Sequence, residues 1–319
     1  MTERERFRAA LECKPVTGRA PTFELVFFLT MEAFGTVHMS HRRFVQWKQM
    51  TEKERDLQRR DVARQYIDIC EKYHHSAIYY ISPFYNFEDD AATIEYIREL
   101  SKEDYFIMLQ GDATFSIPGG DRMEEFIFRL ADEPEKVLCE AGRGVDNLLA
   151  NVERYVKRGG LIDGMCMCCD YCYNTNPFLS PSQFSEFITP FLSRQIKGFR
   201  DMGLYTVKHT DGNIMPILDQ LVQANPHALH SIDPQAGVSL SEVRRLYPNR
   251  LCTIGNVNCG LLQTGTEDEV IADARRALRE GMDGNWGYVF ATSNCVYTGL
   301  PLERYELMNR VWAEEGFYK

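Results

Sequence analysis

The sequence predicts a single-domain (β/α)8 TIM barrel with a helical extension at its N-terminus. Along 319 residues, eight short apolar runs alternate with helical runs, as in the eight repeated units of such a barrel. The runs have the apolar character expected of parallel strands that are buried on both faces. No linker-like or low-complexity stretch divides the chain, so residues 1–319 are expected to form one domain. A doubly wound open sheet is the alternative, although no G-x-G-x-x-G motif follows any run.

Each predicted element follows from local sequence. Residues 2–12 have an amphipathic pattern that ends at Pro15 and Gly18, and they predict the N-terminal helix. Residues 30–50 show weak order and predict a lid or rim segment. The predicted strands are 21–28, 76–81, 105–109, 161–167, 204–207, 228–232, 251–254 and 287–291. Helices are predicted over 51–73, 94–100, 122–131 and 134–157, from about 214, and up to about 314. Ser180 is the predicted N-cap of a further helix, with Pro181 at its first position.

Composition restricts the partners and the compartment. The chain carries 36 basic and 46 acidic residues, a net charge of -10, which argues against nucleic acid or an anionic membrane as a partner. No apolar run approaches the roughly 20 residues of a membrane span. The N-terminus lacks an apolar signal core, so a cytoplasmic protein is expected. The ten cysteines should then be reduced thiols, metal ligands or nucleophiles.

The stretch from Val207 to Asn213 is the centre of the predicted site. It places His209 and Asp211 directly after an apolar strand, where ligands bind in α/β proteins. Because the two residues are two positions apart, their side chains should point the same way in an extended chain. Such a pair suits a metal, a proton relay or a hydrogen-bond clamp. The alternative is that Asp211 and Asn213 only cap the following helix.

Similar polar residues follow most of the other predicted strands, and we expect them to meet in one pocket. The full set is Glu24, Tyr85, Asp112, Asp170, His209, Asp211, Asp233, Asn256, Asn258, Asn294 and Cys295. Each has a structural alternative, since an Asp or Asn can cap a helix or form a turn and a cysteine can be a small core residue.

Two metal hypotheses involve cysteine. Cys166, Cys168, Cys169 and Cys172 are clustered, but no second pair of soft ligands stands nearby, so buried or pocket-lining thiols are favoured over a metal knuckle. The second hypothesis is a catalytic zinc held by His209 and Cys295. Asp211, Glu24 or Cys259 would complete its ligand set.

Several phrases of the sequence resemble the uroporphyrinogen decarboxylase superfamily, which includes the heme-pathway decarboxylase and the corrinoid-dependent methyltransferases. The resemblance covers most of the chain and rests on residues 179–184, 209–213, 255–258, 265–270, 293–295 and 301–305. It implies a (β/α)8 barrel with its pocket at the carboxyl ends of the strands.

The methyltransferase branch is favoured, because residues 23–32 contain no arginine but include Glu24 and Glu32. A polycarboxylate tetrapyrrole would be repelled there. The resemblance then implies methyl transfer between a small methylated donor or acceptor and a corrinoid (cobalamin) on a partner protein. A uroporphyrinogen decarboxylase-like lyase and a non-catalytic binding barrel are the alternatives.

The resemblance also implies roles for the site residues. The thiol-methylating members bind zinc through His-x-Cys, and here Asp211 stands in the place of that cysteine. His209, Asp211 and Asp170 are the expected catalytic residues, with zinc on His209 and Cys295 as a further expectation and a homodimer as the expected assembly. The expected substrate-binding residues are Glu24, Tyr85, Asp112, Asp233, Asn256, Asn258 and Asn294.

Overall fold

A curled, seven-stranded parallel sheet forms the centre of the fold. The structure is a computed structural model and describes residues 1–318. The strands are β1 Ala77–Tyr80, β2 Phe106–Gln110, β3 Gly164–Cys168, β4 Tyr205–His209, β5 Ala228–His230, β6 Cys252–Ile254 and β7 Tyr288–Val289. They lie in sequence order, and each pairs in parallel with the next. They correspond to the second to eighth predicted strands, which confirms the predicted alternation of strands and helices over this part of the chain.

The first predicted strand, residues 21–28, is not a regular strand in this structure. It makes isolated parallel bridges, among them one from Thr22 to Phe290. It nevertheless lies between the two edge strands of the sheet. Ser76 N, next to β1, donates to Thr22 O at 2.7 Å, and Phe290 N, next to β7, donates to Pro21 O at 2.8 Å. Pro21 has no N–H for a ladder. The Glu24 carboxylate accepts from the Thr292 amide at 3.3 Å, so a side chain takes the place of a backbone acceptor here.

Helices surround the sheet. Their bounds are α1 Glu3–Leu11, α2 Thr30–Phe34, α3 Glu52–Tyr73, α4 Phe87–Ser101, α5 Met123–Asp132, α6 Pro134–Arg158, α7 Pro181–Phe187, α8 Thr189–Asp201, α9 Leu218–Gln223, α10 Leu240–Leu246, α11 Cys259–Thr264, α12 Glu267–Gly281 and α13 Leu302–Glu315. In residues 1–318, none of these helices has the length and apolar character needed to cross a membrane.

Helix boundaries follow their capping residues. The predicted N-cap at Ser180 is confirmed, since its hydroxyl accepts from Gln183 N and the Gln183 side chain accepts from Ser180 N. The helix predicted over 94–100 instead begins at Phe87, because the Asn86 side chain accepts from Asp89 N and ends the preceding loop. The predicted rim segment contains α2 and two short 3-10 turns, Met39–His41 and Trp47–Gln49.

The N-terminal helix α1 covers the amino end of the sheet. Its Phe7 ring lies 5.8 Å from Phe23 and 4.9 Å from Phe106, measured between ring centroids. Arg4 of α1 is ion-paired at 2.7 Å with Asp163, which directly precedes β3. Because α1 and its contacts occupy the amino end, the carboxyl ends of the strands are left for a site.

Candidate functional site

Strands β3 and β4 bring the predicted catalytic residues together. Cys168 and His209 are register partners at the carboxyl ends of these strands. Asp170 and Asp211 follow two residues later, so both lie at the carboxyl end of the sheet. His209 Nε2 is 3.6 Å from Asp170 Oδ1 and 3.7 Å from Asp211 Oδ1. The structure therefore places an imidazole nitrogen between two carboxylates.

Backbone contacts fix the loop that carries Asp211. Asp211 N donates to Asp170 Oδ1 at 3.1 Å, and Gly212 N donates to Asp233 Oδ2 at 3.2 Å. Gly212 has φ +81°, and a Cβ at this position would lie 2.5 Å from Cys172 O. Only glycine can therefore occupy the position without displacing the neighbouring loop.

Burial shifts the pKa values of His209 and Asp211. His209 is 4% exposed, and desolvation lowers its pKa to about 4, so the imidazole is neutral near pH 7. The pKa of Asp211 is raised to about 7, first by burial and then by the negative charge of Asp170. The Asp211 carboxyl can consequently hold or release a proton near neutrality, which suits general acid–base chemistry.

A second histidine, not predicted from the sequence, completes the interior of the site. His230 at the end of β5 is 1% exposed, and its Nδ1 lies 2.7 Å from His209 Nδ1. One of the two nitrogens must carry the proton for this hydrogen bond to form. His230 has no distinguishing signal of its own in the sequence, because it lies within the apolar run 228–232. Its place beside His209 follows from the parallel pairing of β4 with β5 in the structure, which makes the two histidines register partners.

Asn294 also joins the group. Its Nδ2 donates to Asp211 Oδ2, whereas Asp211 Oδ1 is buried and has no hydrogen-bond partner within residues 1–318. The neighbouring Cys295 is partly buried, and desolvation together with the charge of Asp211 raises the pKa of its thiol to about 11. The Cys295 thiol is therefore protonated near pH 7.

The remaining predicted binding residues have protein partners or lie elsewhere. Asp112 pairs with Lys208 at 2.7 Å and Glu24 accepts from Thr292. The Asn256 side chain donates to Ile232 O and accepts from Arg276.

Two further predicted residues serve as caps. The Asp233 side chain accepts from Gln235 N, and the Asn258 side chain accepts from Gly260 N at the start of α11. Tyr85 is 83% exposed and lines a separate groove. Of these six residues, Asp233 also accepts from Gly212 N, and its charge contributes to the raised pKa of Asp211. Substrate binding by the six residues stays a prediction.

The group of candidate metal ligands found within residues 1–318 contains no cysteine. Within residues 1–318, the His, Cys, Asp and Glu ligand atoms close enough to share one ion belong to Asp170, His209 and Asp211, all within 4.8 Å of one another. Cys295 is not part of this set, because Asn294 rather than Cys295 contacts Asp211. Cys166 and Cys168 lie 3.9 Å apart, and within residues 1–318 they belong to no group of three or more candidate ligand atoms.

Comparisons with known proteins give a family and a fold. Residues 126–314 match the family model "Uroporphyrinogen decarboxylase (URO-D)". The structure is similar to a methyltransferase from Methanosarcina mazei, with a TM-score of 0.75, 16% identity, and coverage of 98% of this chain and 99% of the other. A comparison with curated proteins finds no match.

A weaker likeness links the chain to a D-psicose 3-epimerase from Clostridium cellulolyticum H10. It has a TM-score of 0.43 and 10% identity, and it covers 78% of this chain and 89% of the other. The likeness to the methyltransferase, at 16% identity, describes the fold and leaves the chemistry to be argued from the site.

Proposed function

The chain belongs to the uroporphyrinogen decarboxylase family, and within that family we propose that it is a methyltransferase acting between a small methylated compound and a corrinoid on a partner protein. The observation that carries this proposal is the charge of the site. Asp170 and Asp211 flank His209, and within residues 1–318 no lysine or arginine is ion-paired with either carboxylate. A polycarboxylate tetrapyrrole would be repelled by such a site, whereas a small neutral or cationic methyl compound would not.

The proposed chemistry is proton delivery to the atom that loses the methyl group. When the bond between the substrate heteroatom and the methyl carbon breaks, the heteroatom keeps the electron pair and takes a proton from Asp211. The raised pKa of about 7 makes Asp211 a suitable donor. The methyl group leaves for the corrinoid, which supplies the nucleophile when it is bound. His209, neutral and buried, hydrogen-bonds to the substrate and orients it.

A divalent cation fits the same group. Asp211 Oδ1 is buried without a partner within residues 1–318, and His209 Nε2 faces it at 3.7 Å. Asp170 Oδ1, which also accepts from Asp211 N, lies 3.6 Å from the same nitrogen. Asp170, His209 and Asp211 would be the ligands of the cation. Asp211 would be ionised when it holds the ion, and polarisation of the substrate heteroatom by the ion would then take the place of proton donation from Asp211. The zinc implied by the family resemblance would lack thiolate here, and a carboxylate-rich set also accepts harder ions than zinc.

The proposal extends to the architecture and setting. Residues 21–28 hydrogen-bond next to both edge strands of the curled sheet, β1 and β7. This supports closure of the sheet into a (β/α)8 barrel. We further place the enzyme in the cytoplasm, as a homodimer that receives the corrinoid protein at the carboxyl ends of the strands.

The test is methyl transfer to free cob(I)alamin from methylated amines, thiols and methoxylated aromatics. The absorbance of methylcobalamin measures the rate of product formation. We expect turnover with at least one donor class. Asp211→Asn and His209→Ala should lower kcat/KM by about 100-fold or more. The control is Asp201→Asn, a substitution on α8 at a carboxylate that pairs only with exposed Lys197.

Undiminished rates in both site variants would remove these residues from the mechanism. Release of carbon dioxide from an acid substrate, without methylcobalamin formation from any donor, would favour the decarboxylase alternative.

A further inference from the structure

A second concave surface lies outside the His209 group. The rim groove has a volume of about 1030 Å³ and is lined by residues 40–45, 47–49 and 83–86. The 83–86 loop follows β1, and residues 40–49 belong to the rim segment that follows residues 21–28. Its size exceeds that of many small-molecule sites, so it can accept a cofactor-sized ligand.

Three aromatic rings form the floor of the rim groove. Phe44 and Phe84 are stacked with centroids 4.9 Å apart, and Trp47 lies 4.7 Å from Phe84. Trp47 is held in place because its Nε1 donates to Asp89 at 3.0 Å. All three rings are only half-buried. The aromatic floor is therefore fixed while part of its surface is available to stack a planar ligand.

The rim groove is cationic, although the chain as a whole has a net charge of -10. Arg43 and Lys48 line it; both are exposed, and neither has an ion pair or hydrogen bond within residues 1–318. Two acidic residues at the start of α4 pair with arginines that do not line the rim groove.

Asp89 pairs with Arg59 at 2.8 Å and Glu88 pairs with Arg158 at 3.2 Å. Two unpaired cations beside aromatic rings favour a ligand that carries an anionic group.

Exposed apolar side chains mark the edge of the rim groove. Val45 is 86% exposed and Tyr85 is 83% exposed. Tyr85 has φ +56°, a left-handed conformation that costs free energy for a tyrosine. Ser82 Oγ accepts from Tyr85 N at 2.7 Å and stabilises this conformation. Tyr85 and Val45 therefore add exposed apolar surface beside the aromatic rings of the rim groove.

We propose that the rim groove binds a planar aromatic ligand that carries a phosphate group. The ring system stacks on Phe44, Trp47 and Phe84, and the phosphate pairs with Arg43 and Lys48. A phosphate suits this pair of cations because an arginine can bind it through two parallel hydrogen bonds and a lysine as a point charge. This site is independent of the methyl-transfer proposal, because it shares no residue with the His209 group.

Matched ligands that differ by a single phosphate test the site. FMN and riboflavin share one ring system, and AMP and adenosine share another, so each pair isolates the anionic contact. We expect FMN to bind about tenfold or more tightly than riboflavin, and AMP more tightly than adenosine, as loss of a charge-assisted hydrogen bond predicts. Equilibrium dialysis gives the dissociation constants, and quenching of Trp47 fluorescence gives a second readout that Trp47→Phe should abolish.

Variants assign the two halves of the ligand. Arg43→Gln and Lys48→Gln should each weaken FMN binding about tenfold and leave riboflavin binding unchanged. Phe84→Leu should weaken both ligands alike. The control is Arg245→Gln, a highly exposed cation on α10, which should change neither. Circular dichroism confirms that each variant is folded.

Several results would overturn the proposal. These are equal affinity for FMN and riboflavin, FMN binding that is unaffected in both cation variants, and no binding of FMN or AMP below millimolar concentration. Binding of poly-L-glutamate without either nucleotide would also overturn it and would assign the rim groove to an acidic protein.

Discussion

At the scale of single residues, the partner of His209 determines what its exposed nitrogen can do. If His209 Nδ1 donates to His230 Nδ1, then Nε2 presents a lone pair to the two carboxylates and can bind a cation or accept a proton. If His230 donates instead, Nε2 of His209 carries the hydrogen. His230 therefore sets the tautomer of His209 and holds its ring, as second partners of metal-binding histidines do.

We predict that His230→Phe lowers kcat for methyl transfer by about 10- to 100-fold, with little change in KM. Phenylalanine keeps a ring of similar size but cannot hydrogen-bond to His209 Nδ1. His230→Asn retains an amide near the same place and should recover part of the rate. Steady-state kinetics with free cob(I)alamin measures both, and a wild-type kcat in His230→Phe would show that the contact has no positioning role.

Glu24 gives a pH prediction that concerns stability. Burial raises the pKa of Glu24 from 4.5 to about 8, although hydrogen bonds from Thr292 oppose this shift. Between about pH 4.5 and 8 the folded state thus holds a proton that the unfolded state has lost. The free energy of unfolding should fall as pH rises through this range, by at most ~1.4 kcal/mol per pH unit from this residue.

Glu24→Gln should remove this contribution, so the variant becomes less sensitive to pH between 5 and 8 than the wild type. Urea unfolding at several pH values measures the slopes. Glu186→Gln, at an exposed position on α7, should leave the wild-type slope unchanged. Parallel slopes for Glu24→Gln and the wild type would contradict a buried, protonated Glu24.

At the scale of elements, apolar runs predicted the strands well and caps determined the helix boundaries. Seven of the predicted strands have counterparts in the sheet, because a buried parallel strand leaves a short, continuous apolar run in the sequence. Residues 21–28 show the same pattern but form no regular strand. Their apolar character indicates that they are buried. It does not indicate whether they form a regular strand, which also depends on the missing N–H of Pro21 and on the hydrogen bond from Thr292 N to Glu24.

A cap prediction belongs to this scale. Ser180→Ala should lower the free energy of unfolding by ~1 kcal/mol, because it removes the acceptor for Gln183 N at the start of α7. Ser185→Ala, on an exposed position within the same helix, is the matched control and should cost nothing. Urea denaturation followed by circular dichroism compares the two, and equal stabilities would mean that the cap is dispensable.

At the scale of the whole molecule, the strand ends that serve catalysis could be predicted only in part. Asp170, Asp211 and Asn294 lie with His209, as the positions of the strand ends indicate. Asn258 has the same local pattern yet accepts a backbone hydrogen bond as a cap, and Asp233 both caps the turn after it and accepts from Gly212 N in the loop of Asp211.

A residue at a strand end can face the pocket or the following helix, and this choice depends on packing between distant segments. His230 depends on the register between strands, which the sequence of one strand does not contain.

The two ends of the sheet divide stability from function. At the amino end, buried Asp163 pairs with Arg98 at 2.7 Å, with the two side chains 4% and 6% exposed, respectively. It also pairs with Arg4 of α1 at 2.7 Å and accepts from Ile107 N at 3.0 Å. The group around His209 lies at the opposite end. Stabilising contacts at one end of the strands and reactive groups at the other are typical of the (β/α)8 barrel proposed above.

We therefore predict opposite effects for two similar substitutions. Asp163→Asn should lower the free energy of unfolding by ~3 kcal/mol, because it leaves the buried Arg98 charge incompletely paired, while kcat at temperatures where the variant is folded stays at the wild-type value. Asp211→Asn should lose activity and keep most of the stability. Asp201→Asn, whose exposed pair with Lys197 contributes less than about 1 kcal/mol, should change neither. Thermal unfolding and steady-state kinetics on the same preparations separate the outcomes. A loss of kcat in folded Asp163→Asn would show that the two ends of the strands are coupled. The ion pairs at the amino end would then be needed to hold Asp170 and Asp211 in place at the carboxyl end.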